Sequence, residues 1–184
     1  MAFNANAFRQ RLQGGGARPN KFEVSLSFPA TPGVAGDPSQ EITFMAQATD
    51  APGMTVGAAE TFYFGRKISF AGDRVFDDWN VQIINDEDFL VRNALESWSN
   101  RMHLLDQDTN QADKFQGQPV YAQAQIRQFG RDGRVIKTYT MFNAWPMIVS
   151  PMALSWQDND RIQTFDAVFR YDYFTTDKIT GLNG

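Results

Sequence analysis

The 184-residue sequence contains no cysteine and a single histidine, His103. Without cysteine there is no disulfide framework, no zinc ribbon and no thiol nucleophile. One histidine rules out multi-histidine metal sites and leaves at most one imidazole base. Basic residues are in deficit too: 17 Lys and Arg against 21 Asp and Glu give a net charge of −4. That balance argues against a simple electrostatic grip on nucleic acid, which needs clustered cations. No apolar run approaches the ~18 residues of a membrane span, so membrane insertion is not expected. The opening MAFNANAFRQRLQGGG has no apolar signal core, and the expectation is a soluble protein made in a reducing cytoplasm. Aromatic residues, by contrast, are plentiful, with 16 Phe, 5 Tyr and 4 Trp. A chain of this length buries roughly 70% of its unfolded surface, enough for one real core.

Residues 1–17 read as a flexible arm. Phe3, Phe8 and Leu12 make a short amphipathic turn, and Gly14-Gly15-Gly16 is a joint. Such an arm is either a docking element or a frayed terminus. Beyond Pro19 the period is two: Phe22, Val24, Leu26 and Phe28 alternate with polar residues. The stretch 29–40 holds three prolines and two glycines and reads as a loop, followed by a strand alternating Ile42, Phe44, Ala46 and Ala48 with Glu41, Thr43, Gln47 and Thr49. Residues 51–59 look irregular and exposed. Strand character returns over Phe62–Phe70, broken at Gly65, and again over Val75–Ile84.

One helix is predicted after Asn85, an N-cap residue followed by Asp86, Glu87 and Asp88, whose charge suits a helix N-terminus. Val91, Ala94, Leu95, Trp98, Met102 and Leu105 form its apolar stripe. Strands over 120–129 and 134–142 flank Gly130-Arg131-Asp132-Gly133, a hairpin turn closed off by Trp145-Pro146. A short strand is expected at 152–156, and a last one carries Phe165, Ala167, Phe169, Tyr171 and Tyr173 on one face. The predicted fold is mainly β: an antiparallel sandwich or barrel with one flanking α-helix. Its parts are an arm (1–17), the β domain (18–174) and a C-terminal tail (175–184).

No catalytic constellation emerges. Asp106-Gln107-Asp108-Thr109-Asn110 opens like a calcium loop, but Gln111 stands where the sharp turn needs glycine and Gly117 where a bidentate glutamate is needed. The three glycines at 14–16 lack the Lys-Ser/Thr of a phosphate loop. Asp77 and Asp78 alternate across a strand and cannot cooperate, and His103 suits a helix C-terminus. No enzyme activity, metal or cofactor is expected.

Several segments, in order, resemble the tail tube proteins of contractile-tailed bacteriophages: 17–24 (ARPNKFEV), 65–79 (GRKISFAGDRVFDDW), Asn85-Asp86-Glu87, Trp98, Trp145-Pro146, Leu154-Ser155-Trp156, Ile162-Gln163-Thr164-Phe165 and Tyr171-Asp172-Tyr173. The resemblance covers about residues 17–173. It implies the fold shared with pyocin and type VI secretion tubes, with hexameric rings stacking into a hollow tube inside a contractile sheath. It also implies partners: further copies of the chain, sheath, baseplate and tail-terminator proteins, and phage DNA that passes without specific binding. The location implied is the virion, after assembly in the host cytoplasm. The 29–40 loop and the segment past Phe174 depart from the family and leave open a baseplate-proximal initiator or terminator ring.

On that basis Glu41, Thr43, Gln47, Thr49, Gln123, Gln125 and Arg127 are candidate lumen-facing residues. Phe3, Phe8, Leu12, Pro52, Met54 and Val56 are candidate contacts between rings. A ligand-binding β-barrel is the rival from another class, and it would need a closed monomer with a deep pocket.

Overall fold

The computed structural model describes residues 4–12, 15–29, 36–104, 109–110 and 120–177. The described elements run α1 (Ala5–Arg11), β1 (Phe22–Leu26), α2 (Pro38–Met45), β2 (Ala46–Thr49), β3 (Met54–Tyr63), β4 (Arg66–Phe76) and β5 (Trp79–Ile84). They continue with α3 (Leu90–Met102), β6 (His103–Leu104), β7 (Thr109–Asn110), β8 (Ala122–Phe129), β9 (Val135–Val149), β10 (Thr164–Arg170) and β11 (Tyr173–Thr176). The fold is mainly antiparallel β, as expected, with three described helices in place of one.

Two sheets share one strand. The first half of β9 pairs with β8 and β11, and β8 pairs with β1, so the first sheet runs β1-β8-β9-β11. The second half pairs with β10, and the second sheet continues β10-β5-β2. The strand therefore does not end at Trp145-Pro146. It bends at Asn143, whose φ of +56° is one that asparagine tolerates better than most residues. The bend is pinned from outside: the Asn143 side-chain amide donates to Asp172 at 2.6 Å, and the Asp172 amide donates to the Phe142 carbonyl at 3.1 Å.

Alternation fills the space between the sheets. Val24, Leu26, Ala124, Ile126 and Met141 point in from the first sheet, and Trp79, Val81, Ile83, Phe165, Ala167 and Phe169 from the second. Helix α3 lays Val91, Ala94, Leu95 and Trp98 on this core, the stripe its periodicity predicts. Trp98 is fully buried, meets Phe28 edge-on at 5.7 Å, and donates its indole N–H to the Val120 carbonyl at 2.8 Å. The helix begins at Leu90, five residues past Asn85, so Asn85 is not its cap. Asp86 accepts from the Leu90 amide at 3.2 Å, while Asn85 ties the end of β5 to Gln163.

Three segments depart from the reading of their sequence. Residues 38–45 form a helix, because Asp37 caps the amides of Ser39 and Gln40 and Pro38 stands in the first turn, where its missing N–H costs nothing. Ile42 is buried there and Phe44 exposed, which a strand with both on one face could not give. Residues 54–59, expected to be irregular, belong to a strand, Met54–Tyr63, that forms a long hairpin with β4. No strand forms at 152–156. The 106–117 segment, whose opening alone is like a calcium loop, lies mostly outside the described residues. Asp77 and Asp78 fall between strands, and Asp78 pairs with Arg170 at 3.2 Å.

Tyr171 is buried, and its hydroxyl has no hydrogen-bond partner among the described residues. Burial, with repulsion from Asp77 and Asp78 added, pushes its phenol from 10.0 up to about 12. Folding therefore holds the proton more tightly than the unfolded chain does. Stability contributed here is intact below pH 10 and falls as pH rises toward 12, by about 2–3 kcal/mol in all. Tyr171→Phe should remove that part of the alkaline loss while leaving stability at pH 7 nearly unchanged, as read by urea unfolding across pH. Trp98→Phe keeps an aromatic ring but loses part of the indole's volume and strands the Val120 carbonyl, and should cost about 1–3 kcal/mol in the same assay.

Candidate assembly surfaces

The outer face of the first sheet is polar across all four strands. Register places Ser25 beside Gln125, Gln125 beside Thr140, and Thr140 beside Thr175. One row along, Glu23 neighbours Arg127, which neighbours Thr138. Glu23 and Arg127 form an ion pair at 2.9 Å, and Asp177, whose amide donates to the Thr138 carbonyl at 3.3 Å, leaves one further acid at the end of the second row. Gln123 is exposed on the same face at the far end of β8. A stacked pair, Phe142 and Tyr173 at 4.8 Å, closes the β11 side. The result is a wet, nearly neutral wall.

Gln123, Gln125 and Arg127 thus come together, and their neighbours Ser25, Thr138, Thr140 and Thr175 join them. The available signal was the alternation of 22–28 for Ser25, that of 135–142 for Thr138 and Thr140, and the polar end of 173–176 for Thr175. The other lumen candidates lie elsewhere. Glu41 and Thr43 are on helix α2, which packs against β1 and α3, and Gln47 and Thr49 are on β2 in the second sheet. Thr49 is occupied structurally: its hydroxyl accepts from the buried Trp79 indole at 2.7 Å and donates to the Asn80 carbonyl at 2.9 Å.

Both outer strands of the first sheet, β1 and β11, expose an edge among the described residues. Three antiparallel steps separate them, so they run antiparallel to each other. Bare edges are normally a hazard, because their unpaired amides and carbonyls recruit another chain.

The hairpin β3–β4 is the second unpartnered surface. Every residue from Met54 to Val75 is exposed. A two-stranded ribbon is marginal in water without something against it. Gly57 and Gly72 cross in its bulge so closely that a Cβ on Gly72 would meet the Gly57 backbone at 3.1 Å. At the tip, Phe64 and Gly65 both have positive φ, +48° and +73°, the signature of a type I′ turn. Asparagine is preferred where Phe64 stands, and a left-handed conformation costs a bulky L-residue about 1–2 kcal/mol. Phe64 is nonetheless 88% exposed, between the exposed rings of Phe62 and Tyr63 and Arg66.

Met54 and Val56 lie on this hairpin, exposed as expected, whereas Pro52 is buried at its root. Phe8 and Leu12 are exposed on the arm, where Asn4 caps α1. Phe3 lies outside the described residues. Sequence reasoning missed the tip, although three successive aromatics before a glycine marked it.

Among the described residues no group of three or more His, Cys, Asp or Glu could hold a metal ion. No described helix is long and apolar enough to cross a membrane. Open edges, a polar sheet face and a free ribbon define a self-associating structural protein.

The chain belongs to the phage tail tube protein family, whose model matches residues 17–177. It is 32% identical over 159 residues to tail tube protein gp19 of Enterobacteria phage T4, covering 86% of this chain and 90% of that protein. It is 25% identical over 175 residues to the tail tube protein of Serratia phage KSP90, covering 94% and 97%. In fold it resembles a chain of the PVC sheath–tube complex of an extracellular contractile injection system, with TM-score 0.60 and 13% identity over 95% and 98% of the two chains. It also resembles a chain of the anti-feeding prophage tube-terminating cap, with TM-score 0.61 and 13% identity over 87% and 89%. The protein is a tail tube protein and a component of the virion.

Proposed function

We propose that this chain assembles into hexameric rings that stack as the inner tube of a contractile tail, and that the tube conducts phage DNA without binding it tightly. The observation that carries the reading is the first sheet, with one polar face and two bare edges of opposite direction. The β11 edge of one copy can pair antiparallel with the β1 edge of the next, keeping every polar face on one side and every core on the other. Edges that would drive aggregation in a monomer are then consumed by ring closure. The polar face becomes the lumen wall, with Gln123, Gln125, Arg127, Ser25, Thr138, Thr140 and Thr175 on it. Because Glu23 neutralises Arg127, the wall offers DNA neither a cationic grip nor strong repulsion.

Sheath, baseplate and terminator proteins are the partners this role implies, with assembly in the host cytoplasm, and the role needs no catalysis or cofactor. A specialised ring of the same fold is the second reading, because the terminating cap and the sheath–tube chain resemble this chain equally. Identity of 32% to a tail tube protein over nearly its whole length favours the main tube.

Negative-stain microscopy of the purified chain should show hollow tubes or rings of uniform width; a monomer at every concentration would sink the reading. Gln123→Lys with Gln125→Lys should leave tubes intact while making them retain short duplex DNA at low salt, an effect lost at high salt. Removal of residues 1–16, which takes away Phe3, Phe8 and Leu12, should leave a folded subunit whose tubes are short. Tubes of normal length would show that the arm does not join rings.

A further inference from the structure

We propose that Ser39 of helix α2 guards the β1 edge in the free subunit, and that ring closure exchanges its hydroxyl for the Phe174 carbonyl of another copy. The proposal rests on the ring reading above and adds the residue that controls the joining of the two edges.

Hydrogen-bond direction alternates along a strand, so an open edge presents only every second residue. On the inner side of β1, the Phe129 amide donates to the Lys21 carbonyl at 2.9 Å and the Ser27 amide to the Gln123 carbonyl at 3.0 Å. Phe22, Val24, Leu26 and Phe28 therefore turn their backbone groups to the open edge. On β11 the Asp177 amide donates to the Thr138 carbonyl at 3.3 Å, so Phe174 and Thr176 are the residues that face outward. The same residues point their side chains inward. Val24, Leu26 and Thr176 are buried, and Phe22, Phe28 and Phe174 pack against the core. The two edges thus match in hydrogen bonding and in face at once, and the four-stranded sheet can repeat from copy to copy without a break.

Register follows from closure. Glu23, Arg127, Thr138 and Asp177 lie in one row across the sheet. Setting Asp177 against the next Glu23 would keep every copy level, whereas a closed barrel needs its strands tilted and staggered. The fixed hand of sheet twist gives the stagger its sense. Seen from the polar face with β9 running upward, β1, β8, β9 and β11 stand from left to right, and each next copy on the right moves down. A step of two residues is the smallest that preserves face, and it sets Thr176 against Leu26 and Phe174 against Phe28.

Phe28 is the position on that edge already taken. Its amide donates to the Ser39 hydroxyl at 3.0 Å, while among the described residues nothing bonds to the outward groups of Phe22, Val24 or Leu26. Asp37 holds Ser39 in place by accepting from its amide at 3.0 Å, and Ile42 anchors the helix in the core. Covering part of an edge blunts its tendency to recruit another chain. A single hydroxyl competes with an incoming strand without locking it out.

Variants of the full-length chain test this. Ser39→Ala should lower the protein concentration at which rings appear by about 2- to 10-fold, the worth of one exchanged hydrogen bond at each seam. It should also slightly lower the melting temperature of the free subunit. A merely structural contact would not weaken the subunit and promote assembly together. Ser39→Thr keeps the hydroxyl and should behave as the parent chain. Paired cysteines read the register without interference, because the chain has none of its own. Ser25→Cys with Asp177→Cys occupies a non-hydrogen-bonded pair, with Cα atoms about 4.5 Å apart, and should give disulfide-linked oligomers. Glu23→Cys with Asp177→Cys should not. Ring onset that is unchanged or raised in Ser39→Ala, or linkage by the Glu23→Cys pair instead, would overturn the guard and leave the ring reading standing. Subunits that neither assemble nor cross-link in any variant would overturn the ring reading itself.

Discussion

Strand β9 belongs to both sheets, and most of the fold takes its position from that sharing. Fifteen residues of one strand cannot serve two sheets without a change of direction. Asn143 supplies the change by entering the left-handed region, and Asp172 holds it there through one short hydrogen bond. Below the bend, β9 aligns β8, β1 and β11 into a sheet with a wet outer face. Above it, the same strand fixes β10, β5 and β2, and with them the points where the hairpin and the 150–163 loop leave the body. The separation of the polar face of the first sheet from the two ends of the second follows from this one bent strand.

The single chain leaves an unusual amount unfinished. Two sheet edges are bare, a ribbon of more than twenty residues is exposed throughout, and several large apolar side chains face water. In a monomeric protein each of these is a liability for aggregation. In the tube proposed for this chain, the two bare edges of the first sheet would satisfy each other around a ring.

Where local periodicity and packing agreed, the sequence was a good guide. The stripe Val91, Ala94, Leu95, Trp98 and the Gly130–Gly133 turn were both legible, because one helix face and one turn type leave few alternatives. Segment 38–45 was misread because four residues of period-two alternation outweighed the Asp37-Pro38 start signal, and the exposure of Phe44 shows which pattern was real. Segment 54–59 was misread because a ribbon with both faces in water has no reason to alternate. Thr49 looked like a surface residue until its hydroxyl proved to be the partner of a buried indole. The tip at Phe64 was passed over because its run of aromatics resembled a core strand.

By itself the sequence determined the class of chemistry, with no thiol, one imidazole and no clustered cations. It also determined which side chains must face inward on β1, β5, β8, β10 and α3, because alternation and helical spacing are local properties of the chain. Its ordered motifs fixed the family. The tertiary structure alone decided where β9 switches sheets, which edges remain unpaired, and where the hairpin and the 150–163 loop leave the second sheet. Those features depend on pairing between segments far apart in sequence, and no local period records such pairing.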